Sequence, residues 1–495
     1  MKKDGKAKTE RSKTGVSGLD DILSGGLTPD RLYLLDGDPG SGKTTLSLQF
    51  LLQGLKDGDK GLYITLSETK EELIAGAQSH GWSLDGLEIL ELIADATELD
   101  SDMQITMYHP SEVELGETTK RVLEAVDSLK PSRIVFDSLS EMRLLAQNPL
   151  RYRRQILALK QFFIGKQCTV LLVDDRTSDE TDLQLRSIAH CVISLEQLAP
   201  LYGATRRRLR VIKFRGSDFR GGYHDFYIKR GGLVVFPRLV ASEHGERFEQ
   251  GCIKSGITAL DALLGGGPER GTSTLLLGPA GSGKSTIAIQ YAIASAERGE
   301  RAALFLFDES AAVLEARSEA LGMKFKKAMK MGTMKLRQVD ATELTPGEFA
   351  YSVRHSVEKD KARIIVIDSL NGYMSAMPEE RFLTAHLHEL LTYLGRQGVT
   401  TFMVVAQHGM IGSNMESPVD TSYLADSVVL LRYFEDAGKV KKAVSVLKKR
   451  SGAHEQSIRE LRFDEEGIHL SEPLTQFRGI MTGVLVELKA AKSES

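Results

Sequence analysis

The chain has 495 residues, a formal net charge of −3, 41% hydrophobic and 26% charged residues, the balance of a globular chain and not of a disordered or collagenous one. No apolar run approaches the roughly 18 residues that cross a bilayer, and Met1-Lys2-Lys3-Asp4 opens a polar stretch, so no membrane contact and a cytoplasmic location are expected. Cys168, Cys191 and Cys252 share no C-x-x-C spacing, which argues against zinc, and the slightly acidic balance argues against DNA; Arg206-Arg207-Arg208 and Lys441-Lys442 read as a solvated strand edge or a phosphate-contacting arm.

In chain order, Arg31–Asp36 reads as a short buried strand and Thr44–Leu52 as an apolar-faced helix. Between them Gly37-Asp38-Pro39-Gly40-Ser41-Gly42-Lys43-Thr44 satisfies G-x-x-x-x-G-K-[ST]. Such a loop turns successive backbone N–H groups, and the positive end of the helix, toward phosphates. Lys43 then reaches the terminal phosphates and Thr44 completes a Mg²⁺ shell, with Thr45 counted in the same nucleotide site. Gly61–Leu66 is the next buried strand and runs into Ser67-Glu68-Thr69. A carboxylate at a strand's C-terminal end beside a phosphate loop can hold an attacking water or hydroxyl as general base, so Glu68 is a catalytic candidate. Arg133–Asp137 is an apolar strand ending on one aspartate, the Walker B arrangement in which Asp137 holds Mg²⁺. Cys168–Asp174 supplies a further strand.

The series then recurs. Gly278-Pro279-Ala280-Gly281-Ser282-Gly283-Lys284-Ser285 repeats the loop at an offset of 241, and Thr14–Asp20 aligns with Ser255–Asp261 at that same offset. Thr272–Leu277 is the strand before the second loop and Thr286–Ala292 lies in the helix after it; Ala302–Phe307 leads to Asp308-Glu309-Ser310, again offset by 241. Lys284, Ser285 and Thr286 repeat the roles of Lys43, Thr44 and Thr45, and Glu309 that of Glu68. Arg363–Asp368 ends on the second Walker B residue, Asp368, offset by 231 from Asp137, and Thr400–Ala406 is a further strand. Small drifts in offset imply loop-length changes between two copies of one domain. Two domains are therefore expected, 1–245 and 246–495, joined within Ala241–Arg247. Alternating strands and helices with long apolar strands imply an α/β fold, each half a mostly parallel sheet with helices on both faces.

These residues resemble the two-domain RecA-like P-loop ATPases of the KaiC type, the circadian clock proteins and their relatives, from Lys13 to about Val486. The resemblance implies two tandem RecA-like NTPase domains in a homohexameric double ring, with ATP and Mg²⁺ at the subunit interfaces. It also implies slow ATP hydrolysis in the first half and a Ser/Thr autokinase and autophosphatase in the second. Ser67-Glu68 and Asp308-Glu309 resemble the family's paired acidic residues, which adds Asp308 as a catalytic and metal candidate; Ser67 departs from the acidic pattern. Ser79-His80-Gly81-Trp82 resembles a nucleotide-proximal segment, with Ser79 as its contact. Lys213-Phe214-Arg215 and Lys448-Lys449-Arg450, offset by 235, resemble the K-x-R element that reaches a neighbour's nucleotide. Aligned from Asp426, the family's phosphorylated Ser-Thr pair falls on Ser422 and Tyr423, making Ser422, with Thr421 beside it, the expected phosphoacceptor. A KaiB-like or histidine-kinase signalling partner is implied, whereas the short segment after Gly483 does not resemble the tail used by the cyanobacterial activator. The alternatives on the same core are a RecA/RadA-like DNA-dependent ATPase, against which the absence of a basic, aromatic-interleaved loop counts, and a non-hydrolysing scaffold.

Overall fold

Side-chain alternation with a period of two generates both faces of each sheet. On β1 (Leu32–Gly37) Tyr33 and Leu35 enter one core while Leu32 and Leu34 enter the other. The computed structural model describes residues 11–92, 110–146, 148–176, 183–199, 203–340, 342–375, 383–407, 423–480 and 486–487. It divides into two compact units, Met1–Arg238 and Leu239–Ser495. The polar run 241–247 lies at the start of the second unit, where Leu239 and Ala241 are buried and the Ala241 N–H donates to Glu389 at 2.7 Å.

In the first unit β1 is followed by β2 (Gly61–Thr65), β3 (Glu88–Glu91), β4 (Arg133–Asp137), β5 (Thr169–Asp175), β6 (Cys191–Leu198), β7 (Arg206–Phe214), β8 (His224–Lys229) and β9 (Gly232–Phe236). They form one sheet in the order β3-β2-β4-β5-β1-β6-β7-β8-β9. Pairing is parallel from β3 to β6 and antiparallel from β6 to β9. The second unit repeats this with β10 (Ser273–Gly278), β11 (Arg301–Leu306), β12 (Met334–Gln338), β13 (Ala362–Asp368), β14 (Thr400–Ala406), β15 (Ser427–Asp436), β16 (Lys439–Lys449), β17 (Arg459–Asp464) and β18 (Gly467–Pro473). Its order, β12-β11-β13-β14-β10-β15-β16-β17-β18, is the first order shifted by nine. Each unit is thus a mostly parallel α/β sheet, the architecture that the resemblance to RecA-like domains implies. On β13, Ile364 and Val366 face one core and Ile365 and Ile367 the other.

The antiparallel extensions correct the reading of the basic runs. Arg206–Arg208 begins β7, an inner strand, where Glu196 on β6 pairs with Arg208 at 2.9 Å and Arg176 at 3.2 Å, and Arg208 lies 4.0 Å over the Tyr223 ring. Lys441 on β16 pairs with Asp436 at 2.7 Å and Glu460 at 3.4 Å, and Lys442 lies 4.9 Å over Phe463. These cations are neutralised or stacked within their own sheets. Of the cysteines, Cys168 and Cys191 are buried in the first unit, their thiols pushed up to about 11 and about 12 by burial; Cys252, in the second, is exposed.

Candidate nucleotide sites

Both phosphate loops leave the C-terminal end of a central strand, β1 or β10, and enter a helix, Lys43–Lys56 or Lys284–Glu297. Gly42 and Gly283 cap these helices at φ 103° and 106°, in the left-handed region. A Cβ would also lie 2.5 Å from Ile228 Cδ1 at Gly42 and 2.2 Å from Phe463 at Gly283. Small residues here let the backbone N–H groups face a bound oxyanion. The cradle fits phosphate on a second count: Ser41 Oγ and Ser282 Oγ are buried without a protein hydrogen bond.

The lysines sit inside their loops. Lys43 Nζ donates to Gly37 O at 3.0 Å and Asp38 O at 2.9 Å, and Lys284 Nζ donates to Pro279 O at 2.6 Å. Burial lowers the Lys284 ammonium to about 8, with Asp368 opposing the shift. An arriving phosphate favours the charged form and opposes that shift.

The Walker B aspartates end β4 and β13, each followed by a cis peptide, Asp137-Ser138 and Asp368-Ser369. Asp137 Oδ2 accepts from Tyr63 Oη at 2.5 Å and Thr44 Oγ1 at 3.4 Å. Burial raises both carboxyls; Tyr63 and Lys43 act in the opposite sense on Asp137, as do Ser285 and Arg317 on Asp368. Asp368 Oδ2 is buried without a protein partner. Hydroxyl plus one carboxylate is the incomplete oxygen set that Mg²⁺ accepts when phosphates and water supply the remainder. Among the described residues no group of three or more His, Cys, Asp or Glu could hold a metal by itself. Thr44 with Asp137, and Ser285 with Asp368, would hold Mg²⁺, which when bound neutralises the β- and γ-phosphate oxygens.

Glu68 is positioned through its backbone: Thr65 Oγ1 accepts its N–H at 3.0 Å and donates to its carbonyl at 2.7 Å. Its half-buried carboxyl is raised by burial, then by Asp137 and Glu72. Glu309 is raised by burial and by Asp368, against which Arg317 acts from 3.0 Å. A raised folded-state pKa means that the basic, ionised form is lost at a higher pH than for an ordinary carboxyl. With Glu309 as the base, the acid limb of turnover in the second unit is therefore expected above the ordinary glutamate value of 4.5. Arg317→Ala removes the opposing charge and should move that limb further up, measured as kcat/KM against pH; a downward or absent shift would remove Arg317 from this role. Asp308 accepts from Ser369 Oγ, so it joins the Walker B segment to the end of β11.

Other sequence candidates fall elsewhere. Ser79 Oγ donates to Gly76 O of its own helix at 2.7 Å, whereas His80 Nε2 lies 3.5 Å from Thr45 Oγ1 and its ring is 4.9 Å from Trp82. His80, not Ser79, is the member of that segment that meets the loop helix. Lys213 donates to Arg186 O and Arg215 to Ser187 O, while the Phe214 ring is buried against Tyr33 and His190. Lys448 Nζ donates to Ala425 O at 2.8 Å and Arg450 to Tyr423 O at 2.8 Å. Lys449, its side chain 1% exposed, donates to Leu264 O at 2.7 Å and pairs with Glu269 at 2.8 Å, a structural use. Ser422 and Thr421 lie outside the described residues.

Strand register settles which end of the sheet the two K-x-R elements occupy. Phe214 is opposite Cys191, Cys191 is opposite Tyr33, and Gly37 is opposite Leu195, so the element is level with the start of β1 and the loop with its end. Four residue steps along the strand separate Tyr33 from Gly37, about 13 Å. Lys449 is opposite Ser427 and Ser427 opposite Thr274, the same placement in the second unit. Neither element reaches the phosphate loop of its own unit.

The residues missed in the sequence are Tyr63, Arg317 and Asp175, whose carboxylate pairs with Lys43 at 2.8 Å. Asp175 carried the signal already used for Glu68, an acid at the C-terminal end of a strand beside the loop.

The family model described as "ATPase: KaiC" matches residues 12–240 and 253–475. The chain is 27% identical over 484 residues to the circadian clock protein KaiC3 of Synechocystis sp., covering 96% of this chain and 94% of that protein. It is 27% identical over 482 residues to the circadian clock oscillator protein KaiC of Picosynechococcus sp., covering 96% and 92%. To the KaiC of Thermostichus vulcanus it is 25% identical over 485 residues, covering 96% and 92%.

Proposed function

The chain belongs to the KaiC family of ATPases, and from that premise we propose that copies of it form a hexamer in which ATP is hydrolysed between neighbours in both tiers. In this reading Lys213 and Arg215, and Lys448 and Arg450, complete the neighbour's site, a cation supplied in trans neutralising transferred phosphate as an arginine finger does. The second unit also transfers phosphate to, and removes it from, its own Ser422 and Thr421, and the phosphorylation state is read out as a signal or a time.

The observation that supports the trans arrangement is the register that sets the K-x-R elements at the opposite end of the strands from their own phosphate loops. Complementation tests it. In a Lys284→Ala background, which silences the second tier, Lys43→Ala and the double variant Lys213→Ala/Arg215→Ala should each lose first-tier turnover. Mixed in equal amounts and allowed to assemble, they should regain about a quarter of the turnover of the Lys284→Ala parent, since random pairing sets an intact loop against an intact arm at that fraction of first-tier interfaces. A mixture as inactive as its components would sink the trans placement, and full activity of the arm variant alone would remove the arms from catalysis.

A further inference from the structure

β5 runs beside β1 as β14 runs beside β10, and the two pairs share one register: Gly37 is opposite Asp175, and Gly278 is opposite Ala406. The residue level with the first glycine of the phosphate loop is a carboxylate in one unit and a methyl group in the other. The backbone repeats beyond that point as well, Arg176 N–H donating to Gly37 O at 3.0 Å and Gln407 N–H to Gly278 O at 3.0 Å. The difference is therefore one of side chain, not of path.

Asp175 Oδ1 lies 2.8 Å from Lys43 Nζ, and Asp175 Oδ2 accepts from Ser140 Oγ at 3.2 Å, which aims the carboxylate at the loop. The Lys43 side chain is 9% exposed and that of Asp175 40%. The lysine that terminal phosphates require is thus already neutralised. When phosphates arrive, the carboxylate either shares Lys43, and then stands beside a second anion, or releases it and is resolvated. Both cost binding free energy, and sharing costs more the more charge the terminal phosphate carries. Solvent at Asp175 screens the effect and keeps it moderate.

We propose that Asp175 is a selectivity residue of the first site, an internal counter-ion to Lys43 that weakens nucleotide binding there and disfavours nucleoside triphosphate relative to diphosphate. The second site, with Ala406, lacks this discrimination. The inference rests on the reading of the first loop as an ATP site.

The test is equilibrium titration of the full-length Lys284→Ala chain, in which the second site is silenced, with fluorescent ATP and ADP analogues, with and without Asp175→Asn. Asn keeps the shape and the Ser140 contact and removes the charge. The expected result is ATP binding tighter by about tenfold, or ~1.4 kcal/mol, ADP binding tightened by less, and a gain that shrinks with added salt. Asp175→Ser should reproduce the shift if the charge is its cause, and melting curves report whether either variant is folded. An unchanged ATP-to-ADP ratio, or weaker ATP binding in both variants, would overturn the proposal. Absence of nucleotide from the parent and both variants would overturn the ATP-site reading with it, whereas binding that appears on removal of the carboxylate supports both.

Discussion

A Glu309→Gln substitution is expected to leave nucleotide bound in the second unit while lowering its phosphate release and self-labelling by about 10²–10⁴-fold, the usual contribution of a general base. Glutamine keeps the length and polarity of the side chain, and the proposed phosphate cradle of Lys284, Ser285 and the loop glycines is untouched. The ionised carboxylate alone is removed, together with the counter-ion 3.0 Å from Arg317. Measured in a Glu68→Gln background with γ-labelled ATP, free phosphate and protein-bound label should fall together while retained nucleotide stays constant. Mass mapping of the label to Ser422 or Thr421 in the Glu68→Gln parent tests the phosphoacceptor assignment in the same run. Undiminished label in the Glu309 variant would take the base role away from Glu309.

The second large effect concerns stability. Arg133→Met is expected to melt the first unit early and leave the second unit in place. The Arg133 guanidinium, 3% exposed, donates to Lys13 O at 2.7 Å, Phe50 O at 2.9 Å, Asp59 at 2.7 Å and Asp57 at 3.0 Å. It also lies 5.0 Å over the Phe50 ring. Gly54 makes room for it, since a Cβ there would be 2.5 Å from Arg133 Cδ. Breaking a buried pair costs roughly 3–5 kcal/mol, and the low end applies because Asp57 and Asp59, 39% and 33% exposed, can return to water. About 3 kcal/mol is a large share of the 5–15 kcal/mol that holds a domain. The second unit has Ile364 four residues before its Walker B aspartate, wholly buried in an apolar core, so it does not use this device. Calorimetry should resolve a second, earlier transition in the variant; a single unshifted transition would show that Arg133 is dispensable.

The parallel strands were legible because residues buried on both faces leave long apolar runs, and β4 and β14 match the sequence reading residue for residue. The antiparallel extensions were less so: β7 opens on three consecutive arginines, and what neutralises them inside the sheet includes Glu196 on the neighbouring strand, invisible until the strands pair. The loop residues, Asp137, Asp368, Glu68 and Glu309 stood out because their chemistry is tied to position along one segment. Asp175 also ends a strand, but its pairing with Lys43 depends on register between strands more than a hundred residues apart in sequence, which local pattern does not carry. Family likeness also placed Lys449 and Ser79 beside polar neighbours of similar type. Side-chain direction then separated Lys449, closed on Glu269, from Lys448, and Ser79, closed on its own helix, from His80.

The unequal distribution of thiols gives the molecule a built-in reporter. Both buried cysteines belong to the first unit, and burial keeps them as unreactive thiols, whereas Cys252 of the second is open to solvent. A thiol reagent applied to the native chain modifies one sulfur at once and the other two when the first unit opens. The slow phase therefore clocks the unfolding of one half of the duplication while the other half contributes nothing to it.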